Sequence, residues 1–282
     1  MGVSTVVGGL RLAPAPRRTL VVKFGGTSLG TPARMRRAAL RLEALARSGR
    51  PVVAVVSAMG RRTDGILAWA GQVCGGPPSR ACSRAVDRAL ATGEELSAAL
   101  LAAALGAAGV RAQALRGGEA GIEVEGPYGG ARIREVRPHP LLSLLAQGVV
   151  PVVAGFQGRR PDGETATLER GGSDISAVAL AGALGPAPCH IVTDVDAVYA
   201  RDPRLDPGAP RFAELTHEAL VRLAEAGARV VHPGAARLAH TLGVPLRVYS
   251  FRAPLGRPGG TRVHTPGGAP AAEAAGVAGV PA

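Results

Sequence analysis

The sequence has no asparagine and a single lysine, Lys23, in a chain whose lysines and arginines together number 33. Its formal charge of +12 is therefore almost entirely arginine. Such a bias is expected of a gene purged of codons rich in A and T, so the basicity is in part compositional and is weak evidence for a polyanionic partner. The arginines are also scattered in pairs such as Arg61-Arg62 and Arg159-Arg160, and no basic run is interleaved with aromatics, which make up only 3% of the chain. A nucleic-acid-binding role is not expected. Cysteine is scarce as well. Cys74, Cys82 and Cys189 are odd in number, lack metal-ligand spacing and accompany no matching histidine pattern, so reduced thiols are expected and a disulfide framework or metal site is not. Long hydrophobic runs are absent. The longest weakly charged stretch, Leu141 to Gln157, is too short for a bilayer span and is broken by Gly148, Pro151 and Gly155, so it reads as a buried strand with its approach. No membrane partner is expected. Residues 1–18 lack a continuous apolar core followed by a small-residue cleavage site, which makes the cytoplasm the expected location.

What the chain does contain is alternation. At 282 residues it is long enough for one large unit or two fused lobes with a substantial core. Short β-branched runs alternate with Ala/Leu-rich stretches, the pattern of βαβ units around a largely parallel sheet. Strands are predicted at Thr19 to Phe24, Pro51 to Ser57, Val149 to Ala154, His190 to Thr193 and Pro245 to Tyr249. Pro32 to Arg47 is predicted as a helix, with proline in its first turn and Gly49 past its end. A second helix is expected over Glu94 to Leu105, with Leu96, Leu100, Leu101 and Leu105 on one face. Further helices are expected at Gly172 to Leu184, Thr216 to Ala226 and Gly234 to Leu242. Gly75 to Ser79 reads as an inter-helix loop, and the chain past Val263 becomes Ala/Gly/Pro-rich with Glu273 as its one charge.

Three constellations carry chemistry. In the first, a hydrophobic strand delivers Lys23 and then Phe24, Gly25, Gly26, Thr27 and Ser28 at its carboxyl end, where α/β sheets bind ligands. Glycines let backbone N–H groups approach an anion, and an ammonium adds a compact charge for phosphate oxygens. An ordinary glycine turn would also place two glycines there, and the lysine precedes them, unlike that of a Walker loop. The second is Glu169-Arg170-Gly171-Gly172-Ser173-Asp174, leading into an Ala/Leu helix and suited to a carboxylate or phosphate. Helix capping by Ser173 or Asp174 is the simpler account of two of these residues, although it leaves Arg170-Gly171-Gly172 unexplained. The third is Thr193-Asp194-Val195-Asp196-Ala197-Val198-Tyr199 followed by Asp202-Pro203-Arg204; strand-end aspartates are common turn formers, so this one is weak alone.

Taken in order, these residues resemble the aspartokinase branch of the amino acid kinase family. The resemblance rests on Lys23 to Ser28, Val55 to Gly60 with Thr63-Asp64, Gly93-Glu94, Gly155 to Gly158, Arg170 to Asp174, Thr193 to Asp196, Asp202 to Arg204, and Gly227 to Pro233, and it covers roughly Thr19 to Val263. Glu169 and Ala197 stand where the family usually has glycine, Arg229 where it has lysine, and Gly234 where it has arginine. Glu169 places a negative charge beside Arg170, which would weaken capture of an anionic substrate.

The resemblance implies a three-layer αβα sandwich with a mostly parallel central sheet. It implies a catalytic domain over 19–264, with an N-terminal substrate lobe and a C-terminal ATP lobe, flanked by an extension (1–18) and a tail (265–282) that are expected to be disordered. The activity implied is phosphorylation of the side-chain carboxylate of L-aspartate, the first step of lysine, threonine and methionine biosynthesis, with ATP and Mg2+. Lys23 and Asp174 take the catalytic roles, and Ser57, Thr63, Glu94, Arg170 and Ser173 the substrate roles. Lys23, Phe24, Gly25, Gly26, Thr193, Asp194, Tyr199, Arg204 and Arg229 fall at nucleotide positions, and no protein cage for the metal is expected. A homodimer is implied; paired ACT domains are not expected in the residues that remain, which leaves room for a separate regulatory subunit. Two alternatives stay open, a related kinase acting on another acid and a catalytically weak regulatory homologue.

Overall fold

The computed structural model describes residues 6–7, 10–11, 19–77, 83–203, 205–228, 230–255 and 259–265. After a short antiparallel hairpin, β1 (Val6–Val7) with β2 (Leu10–Arg11), the chain forms β3 (Leu20–Phe24), α1 (Gly26–Leu29), α2 (Pro32–Arg47), β4 (Val52–Val56), α3 (Arg62–Val73) and α4 (Ser83–Ala107). The middle contributes β5 (Ala112–Leu115), β6 (Ile122–Glu125), β7 (Arg132–Val136), α5 (His139–Ala146), β8 (Val150–Ala154), β9 (Gln157–Arg159) and β10 (Thr165–Thr167). The last third supplies α6 (Gly172–Ala183), β11 (Cys189–Thr193), β12 (Val198–Tyr199), β13 (Arg211–Phe212), β14 (Glu214–Thr216), α7 (His217–Glu225), α8 (Pro233–Leu242), β15 (Leu246–Ser250) and β16 (Thr261–His264).

The central sheet has eight strands in the order β14-β16-β15-β11-β3-β4-β8-β5, parallel from β15 to β5. Only β16, antiparallel to β15, and its neighbour β14 run the other way. β3 and β4 are buried along most of their length because helices cover both faces, which is why they read as continuous Val/Leu runs. The two-residue strand period divides their side chains cleanly. Val21, Val53, Val55 and Ile191 join α6 and α8 residues such as Val178 and Ala236 in one core, whereas Leu20, Val22, Phe24, Val52 and Val56 join Leu42 of α2 and Leu101 of α4 in the other. Helix, sheet and helix therefore form the expected αβα layers. A second, four-stranded sheet, β10-β9-β6-β7, packs beside them.

The five predicted strands and the predicted helix over Pro32 to Arg47 are present with ends that differ by a residue at most. Two expectations need correction. Helix α4 starts at Ser83, so Gly93-Glu94 lies mid-helix and does not open one. Its four leucines do not share a face: at about 100° per residue, Leu96 and Leu101 are about 140° apart. Leu101 and Leu105 are fully buried, while Leu96 and Leu100 are 38% and 42% exposed. The stretch from Leu141 does hold a buried strand with its approach. The approach is helix α5, ended by Gly148 at φ +67, and β8 follows. By length and composition α4 could span a bilayer, but it packs on the sheet and carries Arg84, Asp87, Arg88, Glu94 and Glu95, as a core helix does.

Candidate functional site

β3 is the pivot of the sheet. Chain progression moves outward through β4 on one side, and β11 begins the other half on the opposite side. Ligands of open α/β sheets bind at such a switch point, beyond the strands' carboxyl ends. Lys23 and the Gly25-Gly26 turn stand there. The Gly25 N–H donates to the Val192 carbonyl of β11 (3.1 Å) and the Ser28 hydroxyl to the same oxygen (3.2 Å), which fastens the turn to β11. On the other side the Gly60 N–H donates to the Gly26 carbonyl (2.9 Å) and the Ser57 N–H to the Phe24 carbonyl (3.1 Å). A Cβ on Gly26 would lie 2.7 Å from the Ala58 carbonyl oxygen and 2.9 Å from that of Gly60, so only glycine lets these loops stack.

The Lys23 ammonium lies 2.6 Å from Asp174 Oδ1, with both side chains 11% exposed. Asp174 sits in the first turn of α6 and does not cap it. The N-cap is Gly171, at φ +80, and no side chain caps that end, which removes capping as the account of Ser173 and Asp174. A Cβ at Gly171 would fall 2.1 Å from the His232 ring, so a left-handed backbone and tight packing both demand glycine there. The second Asp174 oxygen accepts the His232 backbone N–H (3.3 Å), and His232 Nδ1 accepts the Gly234 N–H as N-cap of α8. His232-Pro233 is thus the entry turn of α8, and its backbone also holds Asp174. Phe156, after β8, is the one non-glycine residue with positive φ (+67) among the described residues. Its N–H donates to Ser176 Oγ (3.1 Å), and strain of this kind, about 1–3 kcal/mol, clusters at functional sites.

Glu94 is 3% exposed. Oε1 accepts the Ala58 N–H (2.9 Å), and Oε2, also buried, has no hydrogen-bond partner among the described residues. Burial pushes its pKa up to about 7, against the opposing pull of backbone N–H groups and the Lys23 ammonium. Gly93 is needed because a Cβ there would come within 2.9 Å of the Ala58 side chain, so the glycine seats α4 against the β4 loop.

Of the other candidates, Ser57 follows β4 half-buried, Thr63 lies in the first turn of α3, and Ser173 is buried in the first turn of α6. Arg170 is exposed just ahead of Gly171, with no ion pair among the described residues, and Glu169 is exposed without pairing to it. At the end of β11 the Thr193 hydroxyl donates to Asp194 (3.1 Å), and the half-exposed Tyr199 donates to Asp196 (2.8 Å), a bond that raises the tyrosine's pKa. Arg204 and Arg229 lie outside the described residues, as does Cys82. The structure thus gathers Lys23, Gly25, Gly26, Glu94, Ser173 and Asp174 around one carboxyl edge, with Thr193, Asp194 and Tyr199 beyond the adjacent strand. The Ala58 N–H, Phe156 and the His232 N–H are contributors that residue types alone do not announce.

A buried ammonium–carboxylate pair beside a stacked double-glycine turn, at the switch point of a mostly parallel α/β sheet, is an arrangement suited to an anionic, phosphate-type ligand. Residues 18–250 match the sequence profile of the Amino acid kinase family. An aspartokinase of Thermus thermophilus is 43% identical over 231 residues, which are 82% of this chain and 56% of that relative. Among solved structures, aspartate kinase from Synechocystis superposes with a TM-score of 0.73 at 40% identity, covering 88% of this chain and 40% of the other. Aspartokinase III of E. coli, solved in complex with aspartate and ADP, superposes with a TM-score of 0.78 at 26% identity over 87% and 64% of the two chains. The chain belongs to the amino acid kinase family, and it spans a little over half the length of the Thermus relative.

Proposed function

We propose that this chain transfers the γ-phosphoryl group of ATP to the side-chain carboxylate of L-aspartate, giving ADP and 4-phospho-L-aspartate. The observation that carries this reading is Glu94: a buried carboxylate with one oxygen held by Ala58 and the other without a partner suits the α-ammonium of a free amino acid. Its place near Lys23 on the same sheet edge sets the amino acid beside the phosphoryl-binding turn. The E. coli relative's complex with aspartate and ADP supports the same pair of ligands.

In this reading the part of the chain up to about β8 forms the substrate lobe, and the part from α6 onward the ATP lobe, within a domain spanning 19–264. Aspartate's side-chain carboxylate is already ionised at neutral pH, so no general base is needed. Its oxygen bonds to the γ-phosphorus as the bond from that phosphorus to the β-bridging oxygen breaks, and ADP leaves with those electrons. What the chain supplies is alignment and charge cancellation. Lys23 and the Gly25 and Gly26 backbone hold the transferring phosphoryl, and Asp174, steadied by His232, orients Lys23. Arg170 takes a substrate carboxylate, and Ser57, Thr63 and Ser173 add hydrogen bonds. Thr193, Asp194 and Tyr199, with Arg204 and Arg229, hold the nucleotide. Mg2+ would neutralise phosphate charge. It would be held chiefly by phosphate oxygens and water. A cytoplasmic homodimer feeding lysine, threonine and methionine synthesis belongs to this proposal. Titration calorimetry with L-aspartate tests it: micromolar-to-millimolar binding that vanishes in Glu94→Ala supports the reading, and unchanged binding in that variant contradicts it.

A further inference from the structure

Helix α4 carries three polar ties on one stripe, at positions 87, 91 and 94, spaced i, i+4 and i+7. Glu94 holds the Ala58 N–H, and the Ala91 carbonyl accepts from Gln157 Nε2 (3.2 Å). The third tie is Asp87, which is 1% exposed. Its Oδ2 accepts the N–H of Thr167 (2.6 Å) and of Gly129 (3.0 Å), and it makes no ion pair among the described residues. A buried carboxylate without a cation is costly unless its hydrogen bonds are good, and two short backbone donors meet that condition.

What those donors belong to matters. Thr167 is the last residue of β10; Leu168, Glu169 and Arg170 follow it directly, and then come Gly171 and the first turn of α6 with Asp174. Gly129 lies in the turn between β6 and β7 at φ +76, and the next strand start is tied to the same place, since the Ala131 N–H donates to the Thr167 carbonyl (3.0 Å). Leu168, 2% exposed, is pinned in turn by its N–H to the Phe156 carbonyl (2.9 Å). Asp87 therefore draws the end of one hairpin and the turn of another onto α4, just upstream of Arg170.

We propose that Asp87 is a positioning residue. Through Thr167 and Gly129 it fixes where Arg170 stands relative to Glu94, seven residues along the same helix and about 10 Å of helical rise away. One rigid helix then sets the spacing between the group that takes the amino acid's ammonium and the group that takes a carboxylate, so the stripe acts as a length gauge for the substrate. This rests on the roles proposed above for Glu94 and Arg170.

The test compares Asp87→Ala and Asp87→Asn in the full chain. Asparagine keeps an acceptor oxygen for the two N–H groups, and alanine keeps none. For Asp87→Ala the KM for L-aspartate should rise at least about tenfold while the KM for ATP stays within about twofold, and Asp87→Asn should return to within about threefold of wild type. In the ligand-free protein, amides of residues 165–172 should exchange with deuterium at least about tenfold faster in Asp87→Ala than in wild type or Asp87→Asn. A rise in both KM values together, or unchanged exchange over 165–172, would overturn the proposal. If the wild-type chain turns over no amino acid, the substrate reading fails, and the exchange comparison alone decides whether Asp87 holds the Arg170 segment.

Discussion

Lys23 is the one lysine in a chain that otherwise uses arginine, and it stands 2.6 Å from Asp174 beside a glycine turn. A guanidinium is broad and planar where an ammonium is compact, so arginine keeps the charge and misplaces it as the phosphoryl group moves. Lys23→Arg is expected to lower kcat at least about a hundredfold, about 3 kcal/mol of transition-state stabilisation, with a smaller change in the KM for ATP. Steady-state kinetics checks this, and retention of more than half of wild-type kcat would refute the catalytic role. Glu94 brings a pH signature. Its folded-state pKa of about 7 lies above the ordinary 4.5, so it stabilises the fold when protonated. That stability is complete below the unfolded value and is lost as pH rises through about 7, at a cost on the order of 3 kcal/mol. Glu94→Gln mimics the neutral form and still accepts the Ala58 N–H. It should melt a few degrees above wild type at pH 8 and close to it at pH 5, while the KM for aspartate rises at least about tenfold. In the wild type, that KM should rise as pH falls from 8 to 6. A variant that melts lower than wild type at pH 8 with unchanged KM would contradict both roles.

At the scale of elements, the site is two loops pressed together. The β3 turn and the β4 loop meet backbone to backbone at Gly26, where the atoms a Cβ would strike are carbonyl oxygens that cannot rotate away. Gly26→Ala should cost about 1–3 kcal/mol in stability and at least about tenfold in kcat, read by urea unfolding and kinetics on the folded fraction. A stable, fully active variant would show that the loops have slack. Five of the eight strands of the central sheet, β3, β4, β8, β11 and β15, are legible because burial leaves mostly apolar, β-branched runs, and α2 because Pro32 and Gly49 punctuate it; β5, β14 and β16 are not. Nor is the second sheet. Its strands are three to five residues long and carry Glu123, Glu125, Arg132 and Arg134; Glu123 is buried against Arg159 (2.7 Å), a pairing no local pattern reveals. α3 is not legible in the sequence because it buries none of its residues, so it lacks an apolar stripe. The N-terminal half of α4 is not legible because its buried stripe is built from Asp87, Gly93, Glu94 and Ser97 as much as from leucines.

Across the whole molecule, the αβα layering does one thing for function: it brings β3, β4, β8 and β11 to a common carboxyl edge and plants α6 on it, so that residues 151 positions apart form the Lys23–Asp174 pair. Motif order foretold which segments would meet there, because strand-end glycines and acids mark that edge. Three contacts depend on tertiary packing and have no signature in the chain: the His232 N–H on Asp174, the unpartnered Glu94 oxygen, and Phe156 at positive φ. Together these features support the proposed placing of a free acidic amino acid opposite a nucleotide phosphate. The most direct measurement is ATP-to-ADP turnover by the full chain across L-aspartate, L-glutamate and N-acetyl-L-glutamate, with hydroxylamine trapping of the acyl phosphate. Turnover and a hydroxamate with L-aspartate, at a kcat/KM at least about tenfold above the other acids, is the predicted result. A preference for another acid, or no turnover with any of them despite measurable ATP binding, would contradict it.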